Sequence, residues 1–238
     1  MILFLSTLVR SAFGFGNALV AMPLLVLLIG VGNATPLVAL GGATVSVWIL
    51  LESWRQVNGR AAWRLILSTM LGIPGGLLLL KFAPEAVAKG LLGVVLVGFS
   101  LYSLLRFQLP VLRNERWSYL FGLVAGILGG AYNANGPPVV MYGVMRKWPP
   151  AQFRATLQGY FLITGAIILV SHSLAGMWTA EVLWLYIYGL PAIVAGLLIG
   201  GWVHKRIPGE QFTSAVNLFL LLMGITLLLD AVADMRPA

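Results

Sequence analysis

Two segments of this chain are too apolar to leave a bilayer and too long to cross it once. Residues 2–30, ILFLSTLVRSAFGFGNALVAMPLLVLLIG, carry a single charge, Arg10, and residues 117–145, WSYLFGLVAGILGGAYNANGPPVVMYGVM, carry none. As unbroken helices each would be roughly 43 Å long, against a hydrocarbon core of about 30 Å. Both are interrupted near the middle, the first by Gly14 and Gly16, the second by Gly129 and Gly130 followed by Asn133, Asn135 and Pro137-Pro138. Backbone left unpaired in hydrocarbon is costly, so irregular chain at that depth survives only under cover of protein or beside a water-filled cavity. The breaks therefore predict two re-entrant hairpins of half-helices whose tips meet in the membrane interior.

The rest of the chain sets the solvent. Hydrophobic residues make up 60% of the sequence and charged residues 9%, with a mean hydropathy of +0.95, whereas soluble domains carry about 25% charge. The apolar runs are of helical membrane length and do not alternate, which excludes an outer-membrane barrel. Six of them read as ordinary crossings: 34–53, 63–81, 86–105, 154–176, 182–203 and 211–230. The fold class is thus an all-α integral membrane protein. The N-terminus has no basic stretch ahead of its apolar residues, so a cleaved signal peptide is not expected.

Charge placement decides between straight and re-entrant models. Apart from Arg10 there are 14 basic residues; if all eight apolar segments crossed they would divide 7 to 7, and if segments 2–30 and 117–145 are hairpins they divide 11 to 3. Cytoplasmic loops hold the Lys/Arg excess, so only the hairpin arrangement has an orientation, and it places both termini outside. An internal repeat points the same way. Gly14 and Gly129, and likewise Pro23 and Pro138, lie 115 residues apart; Gly72-Ile73-Pro74 and Gly189-Leu190-Pro191 lie 117 apart. We read residues 1–108 and 109–238 as two repeats within one membrane domain, each a hairpin plus three crossings. The odd number of crossings inverts the second copy, a transporter signature with a site near the midplane.

The candidate site follows from the breaks. Pro137 and Pro138 suit the first turn of a returning half-helix, whose positive dipole end would point inward. A matching end follows Gly14, Gly16 and Asn17, with Pro23 as the first copy's counterpart of Pro138. The glycines, Gly126, Gly129 and Gly130 among them, allow close backbone approach, and Tyr132, Asn133 and Asn135 supply neutral donors. Gly122, Gly126 and Gly130 also fit close helix packing at a spacing of four. Arg10 lies one turn before Gly14, far from either surface, and an ionisable residue at that depth is a functional candidate by default. Thr44, Ser46, Gln158 and Thr164, in the crossings after each hairpin, are weaker candidates. His172, near the end of its crossing, reads as interfacial.

Several functions are excluded. Basic residues sit in small groups between apolar runs, which argues against nucleic acid. There is no cysteine, no metal-ligand cluster, no phosphate-binding loop and no nucleophile–base pair, so neither a cofactor, a metal nor an enzyme is expected. The partners expected are a small anionic substrate and the lipid bilayer. Coupling to a proton or to sodium, assembly as a homodimer, transport of a cation or neutral solute, and a non-transporting assembly subunit all stay open.

In "FGFGNALVAMPLL", its second-half counterpart "GILGGAYNANGPPVV" and the following "PPAQFRATLQGYF", the chain resembles the TauE/SafE family of sulfite exporters and toluenesulfonate-uptake permeases over nearly its whole length. The resemblance implies a bacterial or archaeal plasma-membrane permease for small anions such as sulfite or organosulfonates. The positions that match are Gly14, Gly16 and Pro23 in the first copy and Gly126, Gly129, Gly130 and Pro138 in the second. The sequence departs from the family pattern in Gly-Phe-Gly-Asn, where the usual run of glycines is thinned, and in the added Asn133 and Asn135.

Overall fold

The computed structural model describes residues 1–53, 63–105, 110–204 and 209–235. These form nine helices: α1 (Ile2–Phe13), α2 (Asn17–Ser53), α3 (Trp63–Phe82), α4 (Glu85–Leu104), α5 (Trp117–Tyr132), α6 (Gly136–Met145), α7 (Pro150–Leu174), α8 (Ala180–His204) and α9 (Gly209–Asp234). Among the described residues five are long and apolar enough to cross a bilayer, and Ile2–Ser11, Trp117–Tyr132 and Gly159–Leu174 are shorter apolar helical stretches. The protein is an all-α integral membrane protein.

Both long segments fold back. The α5–α6 pair turns at Asn133, and α6 returns to where α5 began: the Leu112 N–H donates to the Met145 carbonyl at 2.9 Å. Arg146 then donates to the carbonyls of Leu112 and Arg113 at 2.9 and 2.8 Å and lies 3.6 Å from Glu115, which also pairs with Arg64 at the start of α3. The α1–α2 pair turns at Gly14–Gly16, and Gly30 ends the returning arm with φ 71° and ψ 166°. Sequence reading placed a gap between residues 30 and 34; the helix instead resumes at once, so α2 is one kinked rod carrying both the returning arm and the next crossing. A glycine alone accounts for this, because Gly30 takes a backbone conformation that a side chain would oppose.

The kink lies at one end of the bundle. The Asn33 amide donates to Glu181 at the start of α8 (3.3 Å), Glu85 at the start of α4 sits against Gly30, and Lys89 lies 2.8 Å from both Asp230 and Asp234 near the end of α9. The Arg64–Glu115–Arg146 group marks the opposite end, so α3 joins the two ends.

Glycine sets how the helices pack. In α5, Gly122, Gly126 and Gly130 lie directly on Leu65, Thr69, Gly72 and Ile73 of the parallel α3. In α8, Gly189, Gly196 and Gly200 receive Leu3, Phe4, Thr7, Leu8 and Ser11 of the parallel α1. Gly93 and Gly224 face each other across the antiparallel α4 and α9. Lipid is as apolar as leucine, so helices associate here through close van der Waals approach rather than by expelling water. The pairing is reciprocal: the first arm of each hairpin packs on the second full crossing of the other half.

His172, expected at the interface, is fully buried two residues before the end of α7, with Nε2 3.1 Å from the Gly130 carbonyl. The carbonyl can only accept, so Nε2 carries the proton. The reason is local: the C-terminal turn of α5 ends inside the protein and needs a donor.

A methyl group on Gly126 would strike the Thr69 carbonyl and the Gly72 backbone, whereas one on Gly98 of α4 meets nothing within 4 Å. Gly126→Ala is expected to destabilise the protein by about 1–3 kcal/mol through overpacking. Gly98→Ala serves as the control and should leave stability unchanged or slightly raised, read as melting temperature of the purified protein in one detergent.

Candidate functional site

The two hairpin tips meet at a cavity of about 60 Å³. Hairpin one supplies Arg10 and the chain from Phe15 to Leu19; hairpin two supplies the chain from Asn133 to Pro137; the rest of the wall is α2 between Val38 and Ser46, Gly42 included, and Phe161, Gly165 and Ile168 of α7.

Arg10 occupies the last turn of α1, where its basic charge suits the negative helix end. The left-handed Gly14 (φ 81°) caps that helix by donating its N–H to the Arg10 carbonyl at 2.7 Å. The guanidinium donates through one terminal nitrogen to the Ser46 hydroxyl at 2.7 Å, while Ser46 donates in turn to the Gly42 carbonyl at 3.0 Å. Its carbon lies 5.9 Å from the centre of the Phe161 ring. Nε is buried without a partner, and among the described residues no carboxylate pairs with the guanidinium. Gly42 makes the room: a side-chain carbon there would lie 3.2 Å from the other terminal nitrogen of Arg10 and 3.5 Å from the Asn17 amide nitrogen. Two donors thus converge over one glycine.

Asn133 caps α5 in the left-handed region at φ 54°, where its N–H reaches the Gly129 carbonyl at 2.9 Å and the Ala134 N–H reaches Leu128 at 3.1 Å. Its amide donates to the Thr35 carbonyl (2.7 Å), and the Thr35 hydroxyl donates to Ala131 (2.8 Å), so the tip is stitched to the crossing portion of α2. Asn135 precedes α6 and donates to the Thr164 hydroxyl at 3.2 Å.

The two half-helix N-termini differ in a way that sequence reading treated as equal. Asn17, Ala18 and Leu19 form the first turn of α2 and all line the cavity, and their N–H groups have no acceptor within the helix. The first turn of α6 is Gly136-Pro137-Pro138, so proline has removed two of its three donors. The α6 end brings a dipole and few hydrogen bonds; the α2 end brings both.

Of the residues singled out from sequence, Arg10, Gly16, Asn17, Ser46, Asn133, Asn135 and Pro137 line this cavity. Others take supporting positions. Gly14 caps α1. Gly129 lies behind Asn135, where a side-chain carbon would come within 3.2 Å of the Asn135 Cβ, and Gly126 and Gly130 pack on α3. Pro23 and Pro138 are buried within α2 and α6. Two turn elsewhere: the Tyr132 hydroxyl donates to the Ala88 carbonyl at 2.9 Å, and Thr44 bonds Tyr186 at 2.6 Å and Leu40 at 3.1 Å. The Gln158 side chain lies outside the described residues. Gly42 and Phe161 were not singled out; the spacing of four between Gly42 and Ser46 was the available signal, since it puts a gap and a hydroxyl on one helix face.

A family model for the sulfite exporter TauE/SafE family matches residues 1–227. The chain belongs to the TauE/SafE family. It is 26% identical over 243 residues to a protein of Cupriavidus necator described as a probable sulfite/organosulfonate exporter TauE, covering 95% of this chain and 91% of that relative. No solved structure matches it. As a TauE/SafE protein it is a multi-pass membrane transporter, and the cavity at its hairpin tips sets Arg10, Asn17, Ser46, Asn133 and Asn135 among apolar residues, with no acidic side chain in its wall.

The cap at Asn133 is separable from its hydrogen bond. Asn133→Gly keeps the left-handed conformation and loses the bond to Thr35, whereas Asn133→Ala loses the bond and adds a left-handed penalty of about 1–2 kcal/mol. Thermal unfolding should rank wild type above Asn133→Gly and Asn133→Gly above Asn133→Ala.

Proposed function

We propose that the chain is a secondary permease that carries a small sulfur oxyanion, sulfite or an organosulfonate, across a bacterial or archaeal plasma membrane. The observation that carries this reading is Arg10: a cation in the last turn of a half-helix, lining the cavity between the hairpin tips beside Asn17, Ser46 and Asn135, with no carboxylate among the described residues to balance it. An unbalanced charge in low dielectric is costly, and an anionic ligand supplies the missing half of the pair. The free N–H groups of Asn17, Ala18 and Leu19, the positive end of α2 and the amides of Asn17 and Asn135 would share the load. The name of the Cupriavidus necator relative fits the same chemistry.

The cation reading is weaker on this geometry. It needs carbonyls at the broken helix ends, yet at α5 those of Gly130 and Ala131 already accept from His172 and Thr35.

For the transport cycle we read residues 1–108 and 109–238 as inverted repeats, with the basic end of the bundle cytoplasmic and both termini outside. The bodies that rock are not the repeats themselves. Backbone-to-backbone packing joins α1 to α8 and α5 to α3, so each hairpin moves with a crossing from the other half, and the cavity lies in the seam between.

Arg10→Gln is expected to lower sulfite or methanesulfonate flux into proteoliposomes by about 10- to 100-fold, the worth of charge-assisted hydrogen bonds. Arg10→Lys should fall between, because an ammonium keeps the charge and loses the planar fork. Flux indifferent to both substitutions would overturn the reading. The orientation is checked separately. The sequence has no cysteine, so single cysteines at Asn33 and Trp117 should react with an impermeant maleimide from the outside and only after permeabilisation, respectively.

A further inference from the structure

A second cavity, of about 100 Å³, lies on the other side of hairpin one and shares Phe15, Gly16 and Leu19 with the first. Its remaining walls come from α1, α4 and α9, chiefly Phe99, Val216 and Leu220. Its two polar side chains bond each other: the Asn217 amide donates to the Ser103 hydroxyl at 2.7 Å. Nothing in this chamber recognises a charge, and an inorganic oxyanion would gain nothing by entering it.

We infer that this chamber takes the organic substituent of an organosulfonate whose sulfonate group is held at Arg10. The inference rests on the function proposed above and adds a specificity site to it. The physical argument is contiguity of unlike surfaces. Gly16 has no side chain, so at this point only backbone and the neighbouring Phe15 and Leu19 separate the chamber that holds Arg10 from the wholly uncharged one. A molecule with one charged oxyanion end and one hydrocarbon end satisfies both, whereas sulfite fills only the first. Phe15 and Leu19 border the junction, and Val216 and Leu220 limit how large a substituent can be.

The test uses the purified full-length protein and a probe series of sulfite, methanesulfonate, ethanesulfonate and butanesulfonate, measured as competition for methanesulfonate uptake in proteoliposomes. Affinity is expected to rise about three- to fourfold for each methylene that enters the chamber. Leu220→Trp should flatten that rise while leaving inhibition by sulfite unchanged. Val216→Phe should do the same from a different wall position, which guards against a folding failure in either variant. A flat series in the wild type, or an unchanged slope in both folded variants, overturns the second chamber. Absence of any anion-dependent signal, or insensitivity of sulfite inhibition to Arg10→Gln, instead overturns the anion permease and this inference with it.

Discussion

A helix that stops inside a bilayer must give its last carbonyls and its first amides to something other than water. At the α5 tip four successive carbonyls find donors. Leu128 and Gly129 accept from Ala134 and Asn133, Gly130 from His172 and Ala131 from Thr35. At the α1 tip Gly14 performs the same service for Arg10. The amide ends are treated differently. At α6 two donors are removed by proline; at α2 three are kept, on residues that line a cavity shared with a guanidinium. Of the two half-helix starts, that of α2 is the one that keeps its donors beside the cavity, which is why the polar centre lies on hairpin one although hairpin two has the more conspicuous sequence.

Much of this was legible from residues alone. The length of segments 2–30 and 117–145 against the bilayer, the glycines at their centres and the 11 to 3 division of basic residues each called for a hairpin, and Arg10 was conspicuous as the one charge in the first segment. What escaped depended on partners distant in sequence. His172 reads as interfacial because its position along α7 is visible and the α5 carbonyl it meets is not. Thr44 and Tyr132 look like cavity residues because they stand beside the breaks, but their hydroxyls turn to Tyr186 and Ala88. Pro137-Pro138 opens α6 as its sequence suggests, but the same proline that suits a helix start also removes its donors.

Glycine has two separate uses in the chain, and the spacing of four in Gly122, Gly126 and Gly130 does not by itself distinguish them. The structure does. Those three lie under the α3 backbone, where any added methyl would strike carbonyl oxygens, whereas Gly16 and Gly42 border the cavity. The first group fixes which helices cannot part. The second makes space beside a charge. That division bears on mechanics, because α1 with α8 and α5 with α3 are joined by backbone contact over several turns, while the tips they carry touch across a void. Relative motion that separated the sequence repeats would have to pull those backbones apart; motion along the void would not.

The same division explains why Arg10 can remain uncompensated. A guanidinium at that depth is tolerable only if its surroundings supply polarity without a fixed counter-charge, and Ser46, the Phe161 ring and the open face above Gly42 do so. A buried carboxylate in place of Ser46 would neutralise the arginine and remove its reason to bind anything. Substitution of Ser46 by Asp should therefore stabilise the fold locally while weakening anion binding more than Ser46→Ala does, since alanine leaves the charge free and aspartate occupies it. Binding measured on both variants separates a cation kept available for a ligand from one that serves only to hold hairpin one against α2, because in the latter case Ser46→Asp would leave anion binding no weaker than Ser46→Ala.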